Sequence, residues 1–250
     1  MKKEFGILIG LSVIYIIISF VLNFLNGSDK VVYLGDYTKV KINGDSLSID
    51  KSNNKISNTK VKYYFNEDIY TGYLYTKKGE YDSDYQREVL SNSGKIVKFS
   101  NGLIASTKSV SLAVSEPISI IATEVDRETA RNFVSNFPDK GELQEVSKYS
   151  VDLDNNGTKE EIYNLKLVDE EENYTTIIAF KSGDNMEVVD TTTNTGDSDS
   201  FRFISLYKYI DFNEDGIYEV VIKENNGDDM PIYYNVYTYE DNSLVSVEEE

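Results

Sequence analysis

The sequence predicts a mainly β protein, in which an N-terminal transmembrane helix precedes antiparallel β domains that contain one short helix. Three observations support this prediction. An uncharged, largely apolar run extends from Phe5 to Ser28. From Val31 onward, short segments rich in Val, Ile, Tyr and Thr alternate with clusters of Asn, Asp, Ser and Gly, which is typical of strands and turns. One segment, from Ala130 to Phe137, instead repeats its apolar residues with helical spacing.

The apolar run is predicted to anchor the protein in the cell membrane. As a helix rising ~1.5 Å per residue, Phe5–Leu25 spans roughly the 30 Å hydrocarbon core of a bilayer. The run is longer than that of a cleaved signal peptide, and residues 26–28 make a poor cleavage site, so we expect an uncleaved signal anchor. Lys2 and Lys3 favour a cytoplasmic N-terminus. Residues 1–28 are therefore expected to be a cytoplasmic stub and a single membrane span, with the C-terminal domain extracytoplasmic.

Residues 29–122 are predicted to form an N-terminal β domain. Asn43-Gly44 and Asn101-Gly102 supply turns between its alternating segments. Residues 50–58 and 77–84 are predicted to be surface loops. The predicted strands are Lys39–Ile42, Ser46–Ile49, Lys60–Phe65, Ile69–Thr76, Lys95–Phe99, Leu103–Ala105 and Val110–Val114.

Residues 123–250 are predicted to form a second unit that begins with a helix at about Arg127–Asn136. Apolar residues recur there at i, i+3, i+4 and i+7, Asp126 can cap the helix, and Pro138 follows its end. We expect this helix to pack on the following sheet and to separate the two halves. Residues 248–250 are three glutamates and are predicted to be a solvated tail. The predicted strands are Val146–Asp152, Glu161–Val168, Thr175–Lys181, Met186–Thr192, Phe201–Tyr209, Tyr218–Lys223 and Ile232–Tyr239.

The composition excludes several kinds of chemistry. The chain has 250 residues, of which 43 are acidic and 25 basic, and its formal net charge is −18. Since it contains no His and no Cys, zinc sites built on these residues, Ser-His-Asp or Cys-His nucleophiles and disulfides are excluded. Its acidity makes nucleic acid an unsuitable partner. Carboxylates, amides, hydroxyls and carbonyls remain, and these ligands suit hard cations such as calcium.

Two loops in the C-terminal half share the pattern D-x-[DN]-x-[DN]-G-x-x-E and lie 59 residues apart. Oxygens at positions 1, 3 and 5, the backbone carbonyl at position 7 and the carboxylate at position 9 can converge on one cation, and Gly at position 6 permits the turn. In the first loop Glu161 is an alternative to Glu160 as the closing acid. The predicted metal ligands are Asp152, Asp154, Asn156, Thr158 and Glu160 in the first loop, and Asp211, Asn213, Asp215, Ile217 and Glu219 in the second.

The crowding of acids in each loop predicts Ca²⁺ as the cofactor. Two like charges 4 Å apart cost about 1 kcal/mol in water and about 4 kcal/mol at an effective dielectric constant of 20. A divalent cation removes this cost. A helix–loop–helix site is excluded because position 12 is Tyr163 or Ile222 rather than Glu. The alternative interpretation is that these clusters are ordinary β-turns.

The two loops resemble the calcium-binding repeats of the FG-GAP/VCBS class, over about Lys148–Glu224. The phenylalanyl-glycyl and glycyl-alanyl-prolyl signatures of that class are missing from the chain. The resemblance implies that the residues at the loop positions above bind calcium. Two repeats cannot close a propeller, which typically needs ~4–8 blades. We therefore expect a compact sheet or sandwich built from two such units.

These features favour a membrane-anchored, extracytoplasmic binding or interaction module with two structural calcium loops, and not an enzyme. Its expected partners are the membrane, through Phe5–Leu25, and an envelope protein or a glycan. Tyrosines concentrate in the predicted strands and could stack on sugars, although β propensity alone accounts for them. The alternative function is a carboxylate-based, glycosidase-like hydrolase of the cell envelope, since that chemistry needs only two acids.

Overall fold

A computed structural model describes residues 30–79, 85–107, 110, 113–195, 201–227 and 230–250. These residues form three antiparallel sheets and a short α-helix, which confirms the mainly β prediction. The predicted anchor Phe5–Leu25 lies outside the described residues. Within them, no helix is long and apolar enough to cross a membrane.

The first sheet has eight strands in the order β3-β2-β1-β8-β4-β5-β6-β7. These strands are β1 (Lys30–Leu34), β2 (Thr38–Asn43), β3 (Ser46–Asp50), β4 (Thr59–Phe65), β5 (Asp68–Lys78), β6 (Tyr85–Ser91), β7 (Ile96–Lys98) and β8 (Ile104–Thr107). The sheet is buried on both faces at β1, because Val32 and Leu34 enter one apolar cluster while Val31 and Tyr33 enter another. Alternate residues of a strand point to opposite faces, so this burial requires packing on both sides of the sheet.

Strand β6 is the largest difference from the sequence prediction in this half. Gln86, Arg87 and Glu88 interrupt the apolar alternation that marks the other strands. Arg87 and Glu88 are nevertheless buried in the structure. Charged residues are rarely buried without partners, so the sequence pattern predicts no strand at this position.

The second and third sheets have five strands each and contain the rest of the chain. The second has the order β10-β11-β12-β13-β14 and the third the order β18-β17-β16-β15-β9. The elements are β9 (Ala113–Ser115), β10 (Ser119–Ile120), α1 (Glu124–Val134), β11 (Glu142–Val151), β12 (Glu160–Val168), β13 (Tyr174–Ser182), β14 (Asn185–Asn194), β15 (Phe203–Asp211), β16 (Glu219–Asn225), β17 (Ile232–Glu240) and β18 (Ser243–Ser246).

The helix and the three sheets stack as four layers. Helix α1 packs on one face of the second sheet, as predicted, through Ala130 and Val134. The other face of the second sheet packs on the third sheet, and the third sheet packs in turn on the first. The third sheet is thus covered on both faces, which explains why consecutive residues such as Val220, Val221 and Ile222 are all buried.

Two short strands within residues 29–122, the predicted N-terminal β domain, pair with strands of the C-terminal half. Strand β9 pairs with β15, and β10 pairs with β11. The segment from Ala113 to Ile120 therefore belongs to the two C-terminal sheets. Strands of two or three residues carry too little pattern to be assigned from sequence.

The side chains of residues 248–250 are exposed to solvent, as predicted, but the backbone of this tail docks on the first sheet. Val247 is buried, and the backbone of Ile49 exchanges hydrogen bonds with Glu248 and Glu250. The Glu250 carboxylate pairs with Lys41. The tail follows the edge strand β3 because this edge has free backbone groups and a nearby lysine that offsets the acidic charge.

Helix α1 begins three residues before the predicted start. Its N-cap is Thr123, whose hydroxyl accepts a hydrogen bond from the Asp126 backbone N–H at 3.2 Å. The Asp126 carboxylate accepts the Thr123 backbone N–H at 2.8 Å, which completes a capping box. Asp126 is therefore the third residue of the helix and not its cap.

We expect Thr123→Ala to lower the free energy of unfolding by about 1 kcal/mol, because the substitution removes the hydroxyl that accepts the Asp126 backbone N–H at the helix start. Denaturant unfolding measures this change. Thr129→Ala is the control, since the Thr129 hydroxyl is exposed and bonds only the Val125 carbonyl of the same helix. Equal losses for the two variants would contradict the role of the capping box.

Candidate metal centre

The two predicted calcium loops occupy equivalent places in the second and third sheets. The first loop joins β11 to β12, and the second joins β15 to β16. In each sheet these two strands begin a four-stranded antiparallel meander. A fifth strand pairs with the first strand of the meander, and this is β10 in the second sheet and β9 in the third. The chain therefore contains two copies of one supersecondary unit, with the loop at the same turn of each.

In the first loop, hydrogen bonds gather the side chains at positions 1, 3 and 5. The Asp152 carboxylate accepts the backbone N–H groups of Asn156 at 3.0 Å and Gly157 at 2.9 Å. The Asp154 carboxylate accepts the side-chain amide of Asn156 at 2.8 Å. The Asn156 side-chain oxygen accepts the backbone N–H of Thr158 at 2.6 Å.

The second loop repeats this arrangement. The Asp211 carboxylate accepts the backbone N–H groups of Asp215 at 3.2 Å and Gly216 at 3.0 Å. The Asn213 side-chain amide donates to Asp215 at 2.8 Å, and the Asp215 carboxylate accepts the backbone N–H of Ile217 at 2.8 Å. The side chains at positions 1, 3 and 5 thus have the same partners in both loops, although Asp and Asn exchange places at positions 3 and 5.

The backbone of the two loops also has the same conformation. Position 4 is left-handed in both, with φ of 55° at Asn155 and 64° at Glu214. Gly157 and Gly216 at position 6 have φ of 88° and 87°. This conformation is readily adopted only by glycine, which explains the Gly at that position in both copies.

The closing acid at position 9 is buried in both loops. Glu160 is 6% exposed and accepts the Leu153 backbone N–H at 2.8 Å, while Glu219 is 2% exposed and accepts the Phe212 backbone N–H at 3.0 Å. Burial raises the pKa of Glu219 to about 8, and the neighbouring acids of the loop add to this shift. Burial likewise raises the pKa of Glu160. A nearby cation would stabilise the charged form of a buried carboxylate that lies close to other carboxylates.

The structure decides between Glu160 and Glu161 in the first loop. The Glu161 side chain lies away from the loop and forms ion pairs with Lys148 and Lys181. The carboxylate of Glu160 instead lies with those of Asp152 and Asp154. Consecutive residues of β12 point to opposite faces of the sheet, so only one of the two glutamates can reach the loop.

The first loop brings three carboxylates to one point. One oxygen atom each of Asp152, Asp154 and Glu160 lies within 4.8 Å of the others. The three acids of the second loop do not meet the same condition, and no other described cluster of acids does so. The second loop has the same number of acids in the motif, but its middle carboxylate is Asp215 at position 5, whereas that of the first loop is Asp154 at position 3. The donor set in both loops consists of oxygens alone, which fits a hard cation such as calcium.

Position 2 of each loop has a role that the motif does not reveal. Leu153 and Phe212 are fully buried. Leu153 lies in the apolar cluster between the second and third sheets, whereas Phe212 lies in the cluster between the third and first sheets. Each loop therefore inserts one apolar side chain into the interface with the next layer. The signal in the sequence is an apolar residue between two acids.

The two loops contact each other directly. The Tyr218 backbone N–H donates to the Leu153 carbonyl at 2.8 Å. The Asn155 side-chain amide donates to the Gly216 carbonyl at 2.5 Å. These bonds join the loop of the second sheet to that of the third, so that order in one loop limits the motion of the other.

We expect the stability of the metal-free protein to fall as the pH rises from about 4.5 to about 8. Folded Glu219 keeps its proton up to its raised pKa of about 8, whereas an ordinary glutamate loses its proton near 4.5. Within this window the folded state binds more protons than the unfolded state, so raising the pH favours unfolding. Melting temperatures measured in chelator at pH 5 and pH 8 test this expectation.

Glu219→Gln is the matched control for this pH dependence. The amide keeps the size of the side chain and can still accept the Phe212 N–H, but it does not titrate. The variant should lose most of the decrease in stability between pH 5 and pH 8. If its melting temperature falls as steeply as that of the unaltered protein, Glu219 is not the group responsible.

Two cavities outside the loops are lined mainly by neutral side chains. One, of about 710 Å³, lies on the first sheet and has no Asp or Glu in its lining. The other, of about 390 Å³, lies where the second and third sheets meet and has one acid, Glu145, in its lining. Neither cavity places two carboxylates across a cleft, as glycoside hydrolysis requires.

Comparison of the chain with protein-family models, with curated proteins and with solved structures found no match.

Proposed function

We propose that the protein is a membrane-anchored, extracytoplasmic binding module of the FG-GAP/VCBS-like kind, with two structural calcium sites. The observation that carries the proposal is the convergence of Asp152, Asp154 and Glu160 in a loop whose conformation recurs in the next sheet. In the first site the ligands are Asp152, Asp154, Asn156, the Thr158 carbonyl and Glu160. In the second they are Asp211, Asn213, Asp215, the Ile217 carbonyl and Glu219.

Calcium in these loops would stabilise the stack of sheets. A bound cation offsets the repulsion among the acids and the cost of burying Glu160 and Glu219 as charged groups. Because the loops bond each other and insert Leu153 and Phe212 into successive interfaces, this order extends to all three sheets. The metal has a structural role and leaves the outer surfaces of the sheets available for a partner.

The anchor and the location form part of the same proposal. Phe5–Leu25 spans the membrane once, and the acidic remainder of the chain lies outside the cell. Calcium is abundant outside cells, so an affinity of ~10⁻⁴–10⁻³ M suffices there. The cleft on the first sheet and the cavity between the second and third sheets have no paired acids in their linings, which favours binding of an envelope protein or a glycan there over hydrolysis.

Calorimetric titration of the full chain in detergent micelles is expected to show two bound calcium ions. Asp152→Ala and Asp211→Ala remove the position-1 ligands and should each lower the stoichiometry to one. Asp184→Ala, which removes an acid outside both loops, is the control and should leave two. If calcium produces no binding heat, or if it binds equally well to a variant lacking both loop aspartates, the calcium sites are wrong.

A further inference from the structure

A cleft of about 710 Å³ opens where the hairpin of β4 and β5 meets the hairpin of β6 and β7 in the first sheet. Its floor is apolar and aromatic, with Tyr63, Phe65 and Val97. Its remaining lining is mostly amide and hydroxyl side chains. Ligand pockets are commonly lined in this way, by apolar and aromatic side chains with a few polar groups that orient the ligand.

Two tyrosine rings form a flat surface within this cleft. Tyr63 and Tyr70 face each other across β4 and β5, with ring centroids 5.4 Å apart and planes at 27°. Tyr63 is buried, while Tyr70 is 43% exposed, so the pair presents one ring to solvent. The Tyr70 hydroxyl donates to Asp68 at 3.3 Å, which orients that ring.

The position of the rings depends on a glycine. A Cβ atom on Gly72 would lie 2.6 Å from the Leu90 carbonyl oxygen and 3.2 Å from a ring carbon of Tyr63. Any other residue there would displace the strand or the ring. Gly72 therefore leaves room for the buried Tyr63 ring, on which Tyr70 stacks.

The charge of the cleft is opposite to that of the protein. Lys62 and Lys95 line it, and no acid does, although the chain has a net charge of −18. Neither lysine Nζ has a hydrogen-bond or ion-pair partner among the described residues. Two lysines in a lining that contains no acid give this cleft a local positive charge, which favours an anionic ligand.

Amide and hydroxyl groups complete the lining. Asn92 donates to the Thr71 hydroxyl at 2.7 Å, which places both side chains on the same rim. Asn66 lines the cleft as well. Amides of this kind donate and accept hydrogen bonds at once, as the hydroxyl groups of a sugar require.

We propose that this cleft binds an acidic oligosaccharide. The exposed face of Tyr70 packs on the apolar face of a sugar ring, Lys62 and Lys95 pair with its carboxylates, and Asn66 and Asn92 bond its hydroxyl groups. The proposal rests on the function proposed above in that it names the ligand of the binding module, but the cleft contains no residue of the calcium loops. A purely acidic peptide lacks the ring face, and a neutral glycan lacks the charge.

The test is calorimetric titration of the full chain in micelles, with calcium present, using three probes. These are a tetrasaccharide of alternating glucuronate and N-acetylglucosamine, the neutral tetramer of N-acetylglucosamine, and a tetraglutamate peptide. We expect the acidic tetrasaccharide to bind at least roughly tenfold more tightly than either other probe, because it alone offers both a stacking face and charge. Tyr70→Ala and the double variant Lys62→Gln, Lys95→Gln should each weaken it roughly tenfold.

Tyr174→Ala is the matched control, since Tyr174 is 41% exposed and has Lys166 at 5.1 Å from its ring. It should leave the affinity unchanged. Absence of binding, equal binding of the neutral tetramer or the peptide, or equal weakening by the control would overturn the proposal. Calcium stoichiometry measured on the same samples separates the two proposals, because binding of the tetrasaccharide without calcium binding would contradict only the metal sites.

Discussion

Saturating calcium should raise the melting temperature of the metal-free protein by on the order of 10 °C. A ligand that binds only the folded state at a hundred times its dissociation constant contributes about 2.7 kcal/mol per site. In a chain of this size each kcal/mol corresponds to about 2–4 °C. Two sites of equal affinity would therefore produce a large shift, which differential scanning calorimetry in calcium and in chelator can measure.

The structural reason for this shift is that each loop holds a buried glutamate close to other acids, and a cation would offset their repulsion. Glu160 and Glu219 are nearly inaccessible to solvent and lie close to the other acids of their loops. Charging them in the absence of metal opposes folding. Calcium bound in each loop would offset the cost of charging these glutamates. The hydrogen bonds of Asn155 and Tyr218 link the two loops, so order in one loop supports the other.

A variant with both Asp152→Ala and Asp211→Ala is the control for this experiment. It should melt at the same temperature with and without calcium. Magnesium should shift the unaltered protein less than calcium, because it requires a small octahedral shell that flexible loops with many oxygens do not favour. A shift of the same size in the double variant would mean that calcium stabilises the protein outside the loops.

Arg87→Met is expected to lower the free energy of unfolding by about 3 kcal/mol or more, because charged hydrogen bonds are lost and buried carbonyls are left without donors. Arg87 is 2% exposed. Its guanidinium donates to the carbonyls of Gly35, Thr38 and Ser52, each at 3.0 Å. One side chain thus closes the turn between β1 and β2 and holds the segment after β3.

The charge of Arg87 persists despite burial. Burial lowers its pKa to about 10, and the nearby acids Asp36 and Asp50 oppose this decrease. The Tyr33 ring lies 5.3 Å from the guanidinium carbon. Arg87 therefore remains protonated at neutral pH, surrounded by carbonyl oxygens and an aromatic face.

Denaturant unfolding of Arg87→Met measures the loss, and two further variants show its origin. Arg87→Lys keeps the charge but has no planar fork to reach all three carbonyls, so it should be destabilised as well. Arg131→Met, on the exposed surface of α1, removes only an ion pair with Glu124 and should change the stability by no more than about 1 kcal/mol. A similar small effect at Arg87 would show that these bonds do not support the first sheet.

The sequence predicts the parts of this protein that depend on neighbouring residues. The strands follow from alternation, α1 follows from its periodicity, and the loops follow from the spacing of acids around a glycine. The hydrogen bonds within each loop join residues no more than seven positions apart, such as Asp152 with Gly157 and Phe212 with Glu219. Interactions over so short a distance in the chain are encoded by local order, which is why the pattern suffices.

The sequence predicts the N-terminus of α1 only approximately, and it does not predict strand β6. The capping box depends on Thr123 and Asp126, three residues apart, and either residue is an acceptable cap by type. Strand β6 contains a buried arginine whose partners lie 35 to 52 positions earlier. A pattern that covers only a few residues cannot include such partners, so it does not predict this strand.

Local sequence alone therefore determined the β class, the helix, and the place and form of the two loops. Only the tertiary structure decided that Glu160 rather than Glu161 faces the loop, that Leu153 and Phe212 fill successive interfaces, that the tail pairs with β3, and that tyrosines and lysines meet in one cleft. The physical reason is that burial, pairing and cavity shape depend on residues far apart in the chain. Their positions become defined only when the three sheets stack.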